Sequence, residues 1–246
     1  MNSRSHPHLL GLLAGLFLAA GLVLSAMVVT RAWLKVAESQ TISVTGAARK
    51  NIRADFIVWR SSFSTEAPTL LAAQRALKTD LGRVDAWLKD EGITNHLVSP
   101  ISIQEVRATE KAQGEAPQQR TVSYRLSQLV EIRSPEVDRV LALERESVGL
   151  VEQGVLFSSN PPEFISTKAG EAMVAMLAEA TKEARARADQ IAAQGNRMIA
   201  QLRSAKMGVF QITPIYSLQT SWDGINDTTS LEKTITAVVT ATFSLR

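Results

Sequence analysis

Residues 221–246 read SWDGINDTTSLEKTITAVVTATFSLR, and the second half of this stretch decides how the folded part of the chain is interpreted. Every second position there is apolar, while the positions between are mostly threonine. The apolar set is Ile235, Ala237, Val239, Ala241, Phe243 and Leu245. A period of two predicts a β-strand with one apolar face and one mostly polar face.

A polar cluster, residues 223–229, precedes this strand. Thr229 and Glu232 match a helix capping box, but the β-branched alternation behind them favours a strand over a helix. The acidic residues lack the Asp-x-Asp-x-Asp-Gly spacing of a calcium loop and its glutamate at the twelfth position. The cluster therefore predicts a turn, and Asp223-Gly224 favours a connection between two antiparallel strands.

Composition limits the classes of protein that this chain represents. Of its 246 residues 45% are apolar and 21% are charged, which is typical of a folded protein rather than a disordered or fibrous one. The formal charge of +3 is small and no block of Lys or Arg occurs, so we expect no nucleic-acid partner. The lack of cysteine excludes disulfides, thiol nucleophiles and zinc–thiolate sites.

The amino-terminal region carries an uncharged apolar run from Leu9 to Val29. At about 1.5 Å per residue it is long enough to cross a hydrocarbon core of about 30 Å, so it predicts a transmembrane helix. A cleaved signal peptide is the alternative, but the apolar region of such a peptide usually spans only about 7–15 residues. Arg4 lies on one side of the run and Arg31 and Lys35 lie on the other, so charge alone does not orient it.

Inside this run, Gly11 and Gly15 form a G-x-x-x-G pattern, and Ala19 follows one turn later on the same face. Small residues at this spacing allow two membrane helices to approach closely, so the pattern predicts self-association of the anchor. The alternative is that glycine and alanine are simply frequent in membrane spans. The sequence leaves both interpretations open.

Between the anchor and the final strand, apolar patterns predict further strands and helices. TISVTGAAR and ADFIVWRSSFS read as an amino-terminal hairpin with its turn at Lys50-Asn51. Apolar residues at helical spacing between Thr65 and Gly92 predict an amphipathic helix. VSPISIQEV, TVSYRLSQLVEIR and the buried GVLFSS read as strands, ATEKAQGEAPQQR reads as a polar loop, and residues 134–136 open a short helix.

The run from Thr167 to Leu202 is rich in good helix formers and predicts the longest helix. Its expected buried stripe is Met173, Leu177, Ala180, Ala184, Ile191, Met198 and Leu202. GVFQITPIYSLQTSW then predicts a strand that leads into the turn before the final strand. Together these elements give an α+β fold with antiparallel strands packed by amphipathic helices, preceded by one N-terminal transmembrane helix.

Several of these segments together resemble the SIMPL-domain family of bacterial periplasmic and membrane-anchored proteins. They are ISVTGAA, the strand with Asp55, YRLSQLVEI, EATKEARARADQIAAQGN and DTTSLEKTITAVVTATFSL. The resemblance covers essentially Thr41 to Arg246, with a departure at Ala54, where family members often have proline. It implies an α+β fold, export of the domain beyond the inner membrane, and a role in envelope integrity and oxidative-stress defence. It implies no reaction and supplies no catalytic residues.

The resemblance also supplies the orientation that charge leaves open. We expect a single-pass protein of the inner membrane with its C-terminal domain in the periplasm. Residues 1–8 would form a cytoplasmic tail, 9–29 the signal anchor, 30–40 a linker and 41–246 the periplasmic SIMPL domain.

The residues themselves do not point to catalysis. Beyond the anchor the sequence holds one histidine, His96, so a His-based triad or a multi-histidine metal site does not form within one chain. Glu144 and Glu146 are two residues apart on a predicted helix and so do not face each other. We therefore expect no catalytic residue, no cofactor and no metal site.

Trp222 and Thr240 are the candidate contact residues of the folded part. Trp222 stands beside a polar turn, where it would anchor a neighbouring subunit or pack on its own hairpin. Thr240 represents the threonine-rich face of the final strand, which is either solvated or covered by a second copy of the chain. Trp59 and Trp87 fit apolar faces and are expected in the core.

The resulting hypothesis is a non-enzymatic protein that is anchored in the lipid bilayer and acts by homo-oligomeric self-assembly or by partner contact in the cell envelope. The alternative is a binding module for a small apolar or lipidic ligand held between the sheet and the long helix. A closed pocket of a few hundred Å³ lined by Met173, Met176 or Leu177 would favour that alternative.

The apolar run from Leu9 to Val29 generates a first prediction. The protein should remain in the membrane fraction after high-salt and carbonate washing, because the run is apolar enough to span the bilayer rather than lie on its surface. Fractionation followed by mass determination of the mature chain measures this. A soluble mature form that begins after about residue 30 would instead establish a cleaved signal peptide.

Overall fold

The computed structural model describes residues 7–37, 40–110 and 118–246. Its elements in chain order are α1 (Pro7–Ala37), β1 (Thr41–Arg53), β2 (Phe56–Ala67), α2 (Leu70–Asp90), β3 (Leu97–Val98), β4 (Ser102–Glu110), β5 (Gln118–Ser134), α3 (Val137–Glu146), α4 (Val148–Glu152), β6 (Leu156–Ser159), β7 (Glu163–Ile165), α5 (Ala169–Gln194), β8 (Ile199–Met207), β9 (Gln211–Pro214), β10 (Ile225–Asn226) and β11 (Glu232–Leu245).

The chain folds into two compact units. The first contains residues 177–208 and 238–246 together with the described part of residues 1–48. The second contains residues 49–176 and 209–237. The strands β1 and β11 and the helix α5 each contribute residues to both units.

Helix α1 is the candidate membrane span. Its segment Gly11–Trp33 has a mean hydropathy of 2.5, and none of that segment is buried within the protein. The helix is thus long and apolar enough to cross a membrane, as the sequence predicts. It continues to Ala37, beyond the predicted end at Val29, because Arg31 and Lys35 are good helix formers even though they do not favour lipid.

In the first unit, the second half of α5 packs on a sheet built from β1, β11 and β8. Strand β11 runs antiparallel to β8, from Val239 opposite Met207 to Leu245 opposite Ile199. The core of this unit consists mainly of small residues: Val44, Ala184, Ala188, Ala241 and Phe243. Alanines every fourth residue along α5 present a stripe without bulk, which lets the helix approach the sheet closely.

Gly46 on β1 lies where this approach is tightest. A Cβ atom at position 46 would overlap the main chain of α5 at Ala180 and Ala184, and it would lie 2.8 Å from the Ala184 Cβ. Real Cβ atoms do not approach other atoms this closely, so the position has room for glycine alone. Gly46 and the alanine stripe thus form one packing device.

The second unit contains a six-stranded sheet with the strand order β3-β5-β2-β6, in which β4 also pairs with β5 and β7 with β2. Its central pair is antiparallel, from Ile57 opposite Ser134 to Ala67 opposite Tyr124. Helices α2 and α3 cover one face of this pair. The enclosed core is large and includes Trp59, Phe63, Leu77, Leu88, Leu126 and Ile132.

The second unit also holds the short strands β9 and β10 with the first half of β11. β11 is antiparallel to β9, with Lys233 opposite Pro214 and Thr236 opposite Gln211. β10 instead runs parallel to β9. The predicted pair of antiparallel strands around the polar turn is therefore present, but residues 215–231 connect them, not a two-residue hairpin loop.

Several predictions from periodicity are confirmed. Ile235, Ala237, Val239, Ala241 and Phe243 are buried along β11, and the alternation is lost only at the end, where Ser244 is buried and Leu245 is half-buried. On β5 the even positions 126, 130 and 132 face the core. Trp59 is 1% exposed and Trp87 packs against the same core, as expected.

The predicted amino-terminal hairpin is wrong. β1 continues through Lys50 and Asn51 to Arg53, and it pairs with β11, whereas β2 lies in the other sheet. The side chains explain why no turn forms there, since Thr234 on β11 donates a hydrogen bond to the Asn51 carboxamide at 2.9 Å. Asn51 therefore serves as a cross-strand partner instead of a turn residue.

The predicted end of the long helix is also wrong. α5 ends at Gln194, and Asn196 has a left-handed backbone with φ +52°. The following residues form β8, because pairing with β11 outweighs the helix propensity of this segment. Of the predicted stripe, Ala180 and Ala184 are buried; Met173 and Leu177 are half-buried, whereas Ile191, Met198 and Leu202 are exposed.

Smaller differences concern element ends. The segment GVLFSS forms a strand, β6, as predicted. It lies at the edge of the sheet and is not fully buried, since Leu156 is 65% exposed. The predicted strand over 208–222 is confined to β9. Residues 108–110 and 118–120 of the predicted loop are strand, and 111–117 lie outside the described residues. α2 begins with Thr69 as its N-cap rather than at Thr65, and α3 begins at Val137.

Gly46 generates a stability prediction with a matched control. Gly46→Ala should lower the free energy of unfolding by about 1–3 kcal/mol, because the new methyl group has to displace the main chain of α5. Gly82→Ala should raise it by up to about 1 kcal/mol, since Gly82 is on the exposed face of α2 with no atom within 4 Å of an added Cβ. Urea unfolding followed by circular dichroism measures both. Equal effects of the two variants would contradict the packing argument.

Candidate functional site

A cleft in the second unit is the strongest candidate for a site. Its volume is about 390 Å³, which lies within the range of small-molecule pockets. Residues from the end of β7, the start of α5, β9, the 223–228 segment and β11 line it: Phe164, Ile165, Ser166, Ala169, Met173, Phe210, Ile212, Asp223, Gly224, Ile225, Asn226, Thr228 and Lys233. Apolar walls thus enclose a few polar groups.

Lys233 is the unusual residue of this cleft, since its side chain is charged and only 1% exposed. On β11 it lies on the same face as Ile235 and Ala237, so the alternation of the strand directs its side chain inward. Its Nζ donates to the Phe164 carbonyl oxygen at 2.7 Å and to the Asp227 carbonyl oxygen. Burial lowers the pKa of Lys233, because a desolvated ammonium is less stable, and the negative charge of Asp227 partly counters this shift.

The polar cluster before β11 is a turn built on Asp227. The Asp227 Oδ1 atom accepts hydrogen bonds from the Thr229 main-chain nitrogen at 2.9 Å and from the Thr229 hydroxyl at 2.7 Å. Burial alone would raise the pKa of Asp227, but these bonds outweigh it and the pKa is lowered. Residues 227–229 thus form an Asx turn, Ile225–Asn226 form the short strand β10, and no part of the cluster is helical.

Among the described residues, no group of three His, Cys, Asp or Glu side chains is arranged to hold a metal ion. The turn is fastened by main-chain bonds instead: the Asp227 nitrogen donates to the Ile212 carbonyl at 3.0 Å, and the Phe164 nitrogen donates to the Thr228 carbonyl at 2.7 Å.

Asp55 positions the segment that leads into α5. Its carboxylate accepts hydrogen bonds from the main-chain nitrogen and the hydroxyl of Thr167, each at 2.7 Å. Burial favours a higher pKa for Asp55, but the two Thr167 bonds outweigh it and lower the pKa. The neighbouring Ser166 is thereby fixed at the cleft wall, where its Oγ is buried and has no hydrogen-bond partner within the described part of the chain.

The residues that line the cleft lie within a range of the chain that matches a known sequence family. The family model SIMPL, described as a protein of unknown function (DUF541), matches residues 42–243. The chain belongs to the SIMPL family. No curated protein matches the chain at a significant level.

Residues in the segments that carry the SIMPL resemblance have identifiable structural roles. Gly46 of ISVTGAA provides the close approach of α5, and the Asp55 carboxylate holds Thr167. Ala54, the position where the sequence departs from the expected family pattern, donates its main-chain N–H to the Leu231 carbonyl at 2.9 Å. Proline has no N–H, so a proline at position 54 would not make this hydrogen bond.

A second candidate surface is formed by the segment that directly precedes the cleft residue Asp223 in the sequence. The segment 215–222, IYSLQTSW, contains no charged residue. Tyr216 is 95% exposed, Leu218 88% and Trp222 86%. Large apolar side chains that are this exposed mark surfaces that contact another molecule. Tyr216 also has a left-handed backbone with φ +64°, an uncommon conformation for an aromatic residue.

The four residues predicted to mediate self-association of this SIMPL protein lie on three elements. Gly11 and Gly15 are on α1, and an added Cβ at either would meet no atom within 4 Å. Trp222 is exposed in the 215–222 segment and does not pack on a hairpin. Thr240 is half-buried on β11, and its hydroxyl lies 3.1 Å from that of Thr45 on β1. These positions leave self-association itself a prediction.

The sequence reasoning missed Lys233, Phe164 and Ser166. A signal for Lys233 was present, because it continues the buried odd-numbered positions of β11 toward the amino-terminal end of the strand. A lysine in phase with a buried stripe is rare unless partners are provided for it. No local pattern identifies Ser166, since its place depends on Asp55, which is over a hundred residues earlier.

Lys233 generates a stability prediction. Lys233→Met keeps the apolar stem but removes the donor to two main-chain carbonyls, and each unpaired buried carbonyl costs about 1–3 kcal/mol. Loss of the desolvated charge offsets part of this, so we expect a net destabilisation of roughly 1–4 kcal/mol. Lys182→Met, on the exposed face of α5, should stay within about 0.5 kcal/mol of the wild type in urea unfolding. An unchanged unfolding midpoint for Lys233→Met would contradict the inference that the hydrogen bonds of Lys233 to the Phe164 and Asp227 carbonyls stabilise the fold.

Proposed function

We propose that this SIMPL protein is a membrane-anchored, non-enzymatic component of the cell envelope that acts by self-assembly or by partner contact. The observation that carries the proposal is the 215–222 segment with Tyr216, Leu218 and Trp222 almost fully exposed. Aromatic side chains are enriched at the energetic centres of protein interfaces. An uncharged segment carrying two of them is suited to docking.

The membrane helix supports the same proposal through concentration. α1 ends at Ala37 and β1 begins at Thr41, so only a few residues connect the candidate span to the folded part. Anchoring confines copies of the chain to two dimensions, which raises their effective concentration and favours weak contacts. Gly11 and Gly15 would add a helix–helix contact within the bilayer.

The compartment and the biological role rest on family resemblance. Location of the folded part in the periplasm, with α1 in the inner membrane, follows from the export that is typical of the family. A contribution to envelope integrity and oxidative-stress defence is proposed on the same basis.

A second candidate function is the binding of a small apolar or lipidic ligand, and the cleft favours it. Met173 lines the cleft, whereas Met176 and Leu177 are not part of its lining, and the cleft is open to solvent where that hypothesis expects a closed pocket. The volume of about 390 Å³ suits a small ligand. Self-assembly and ligand binding use different surfaces and are compatible.

The exposed segment generates the test of self-assembly. Trp222→Ser should weaken association of the full-length chain tenfold or more, because central interface tryptophans commonly contribute this much. Its matched control is Leu156→Ser, which removes an exposed apolar side chain from the edge strand β6 and should leave association unchanged. Light scattering and native mass spectrometry in detergent across a concentration series measure the dissociation constants. A monomeric wild type would contradict self-assembly, and equal constants for both variants would contradict the assignment of the 215–222 segment as its contact surface.

A further inference from the structure

We propose that the cleft binds a small amphipathic carboxylate, with the carboxylate on Lys233 and Ser166 and the apolar chain against Phe164, Met173, Phe210 and Ile212. This rests on the second candidate function, ligand binding in the cleft, and specifies the chemistry of the ligand. Within the described residues, the buried Lys233 ammonium has no directly bonded anion.

Lys233 is held by neutral partners. Among the described residues its hydrogen-bond acceptors are two main-chain carbonyl oxygens, those of Phe164 and Asp227. An ammonium group has three protons, so one N–H remains for another acceptor. The carboxylate of Asp227 acts on Lys233 through space and does not bond to it: its Oδ1 atom is bound to Thr229, and its Oδ2 atom is buried without a hydrogen-bond partner among the described residues. A buried cation in these surroundings is best stabilised by a directly bonded anion.

Ser166 supplies the second polar contact. Its hydroxyl is buried at the cleft wall and lacks a partner within the described ranges. A buried hydroxyl without a partner costs free energy, which a ligand oxygen would recover. Ser166 comes shortly before α5, and Ala169 in the first turn of that helix also lines the cleft. The helix dipole at this end adds to the preference for a negative charge.

The rest of the cleft fits an apolar body. Phe164 and Ile212 are buried, and Met173 and Phe210 are half-buried at its wall. Methionine is flexible and adapts to irregular apolar ligands. Asp223 and Asn226 also line the cleft, but both are exposed, so water screens the Asp223 charge. A ligand with a carboxylate at one end and a short alkyl chain at the other therefore matches both parts.

The test compares three probes that share one alkyl chain: octanoate, octanol and octylammonium. The full-length chain in lipid nanodiscs carries ¹³C-methyl methionine, and Met173 reports on the cleft while Met207 on β8 serves as the reference signal. Met173→Leu assigns the Met173 signal, and empty nanodiscs correct for partition of each probe into lipid. We expect octanoate to shift the Met173 signal saturably and to bind at least tenfold more tightly than either of the other probes.

A pair of serine variants tests the head-group contact. Ser166→Ala should weaken octanoate binding roughly fivefold, as the loss of one hydrogen bond predicts, and should leave octanol binding unchanged. Ser127→Ala on β5, which is not part of the cleft lining, should change neither. Ser166→Ala removes a single oxygen atom, so this variant is expected to fold.

The outcomes separate the two levels of the hypothesis. If octanol or octylammonium binds as tightly as octanoate, the carboxylate preference is overturned while ligand binding in the cleft stands. If no probe shifts the Met173 signal, both are overturned. If octanoate binds preferentially but Ser166→Ala has no effect, the assignment of Ser166 as a head-group contact is overturned.

Discussion

The burial of Lys233 is the constraint around which the cleft is arranged. The alternation of β11 directs this side chain inward, and a buried ammonium needs acceptors. The acceptors are the carbonyls of Phe164 and Asp227, which come from segments far apart in the sequence. One side chain therefore joins β7, the Asx turn and β11, and the cleft lies between the segments that it joins.

The first unit depends on a different constraint, the absence of side-chain bulk. Ala184 and Ala188 on α5 meet the β-sheet at Val44 and Ala241, and Gly46 removes the last Cβ that would separate the two layers. Close approach increases dispersion contacts without burying large apolar areas. The cost is low tolerance of change, because no neighbour is flexible enough to accommodate an added methyl group next to a helix backbone.

The sequence predicted the fold where a single period dominated. The alternation in β11 and β5 and the helical spacing in α2 correspond to buried faces. Prediction failed where distant pairing overrode local propensity, as in β8, whose residues favour helix but pair with β11. Asn51 was predicted in a turn because asparagine is common there. It lies in a strand because its side chain pairs with Thr234, which is distant in sequence. Local sequence patterns do not identify partners that are distant in the sequence.

The cleft illustrates the same limit at the level of function. Its two distinctive polar groups are ordinary residues, a lysine and a serine, and each becomes unusual only through burial or a missing partner. Asp55 shows how far such a dependence reaches: its side chain lies outside the cleft lining, yet it fixes Thr167 and thereby the neighbouring Ser166. The family segment around Asp55 is consequently linked to the cleft through position rather than contact. Recognition of a ligand by this fold would thus depend on residues that never touch it, which is why the tertiary arrangement has to be known before such a site becomes visible.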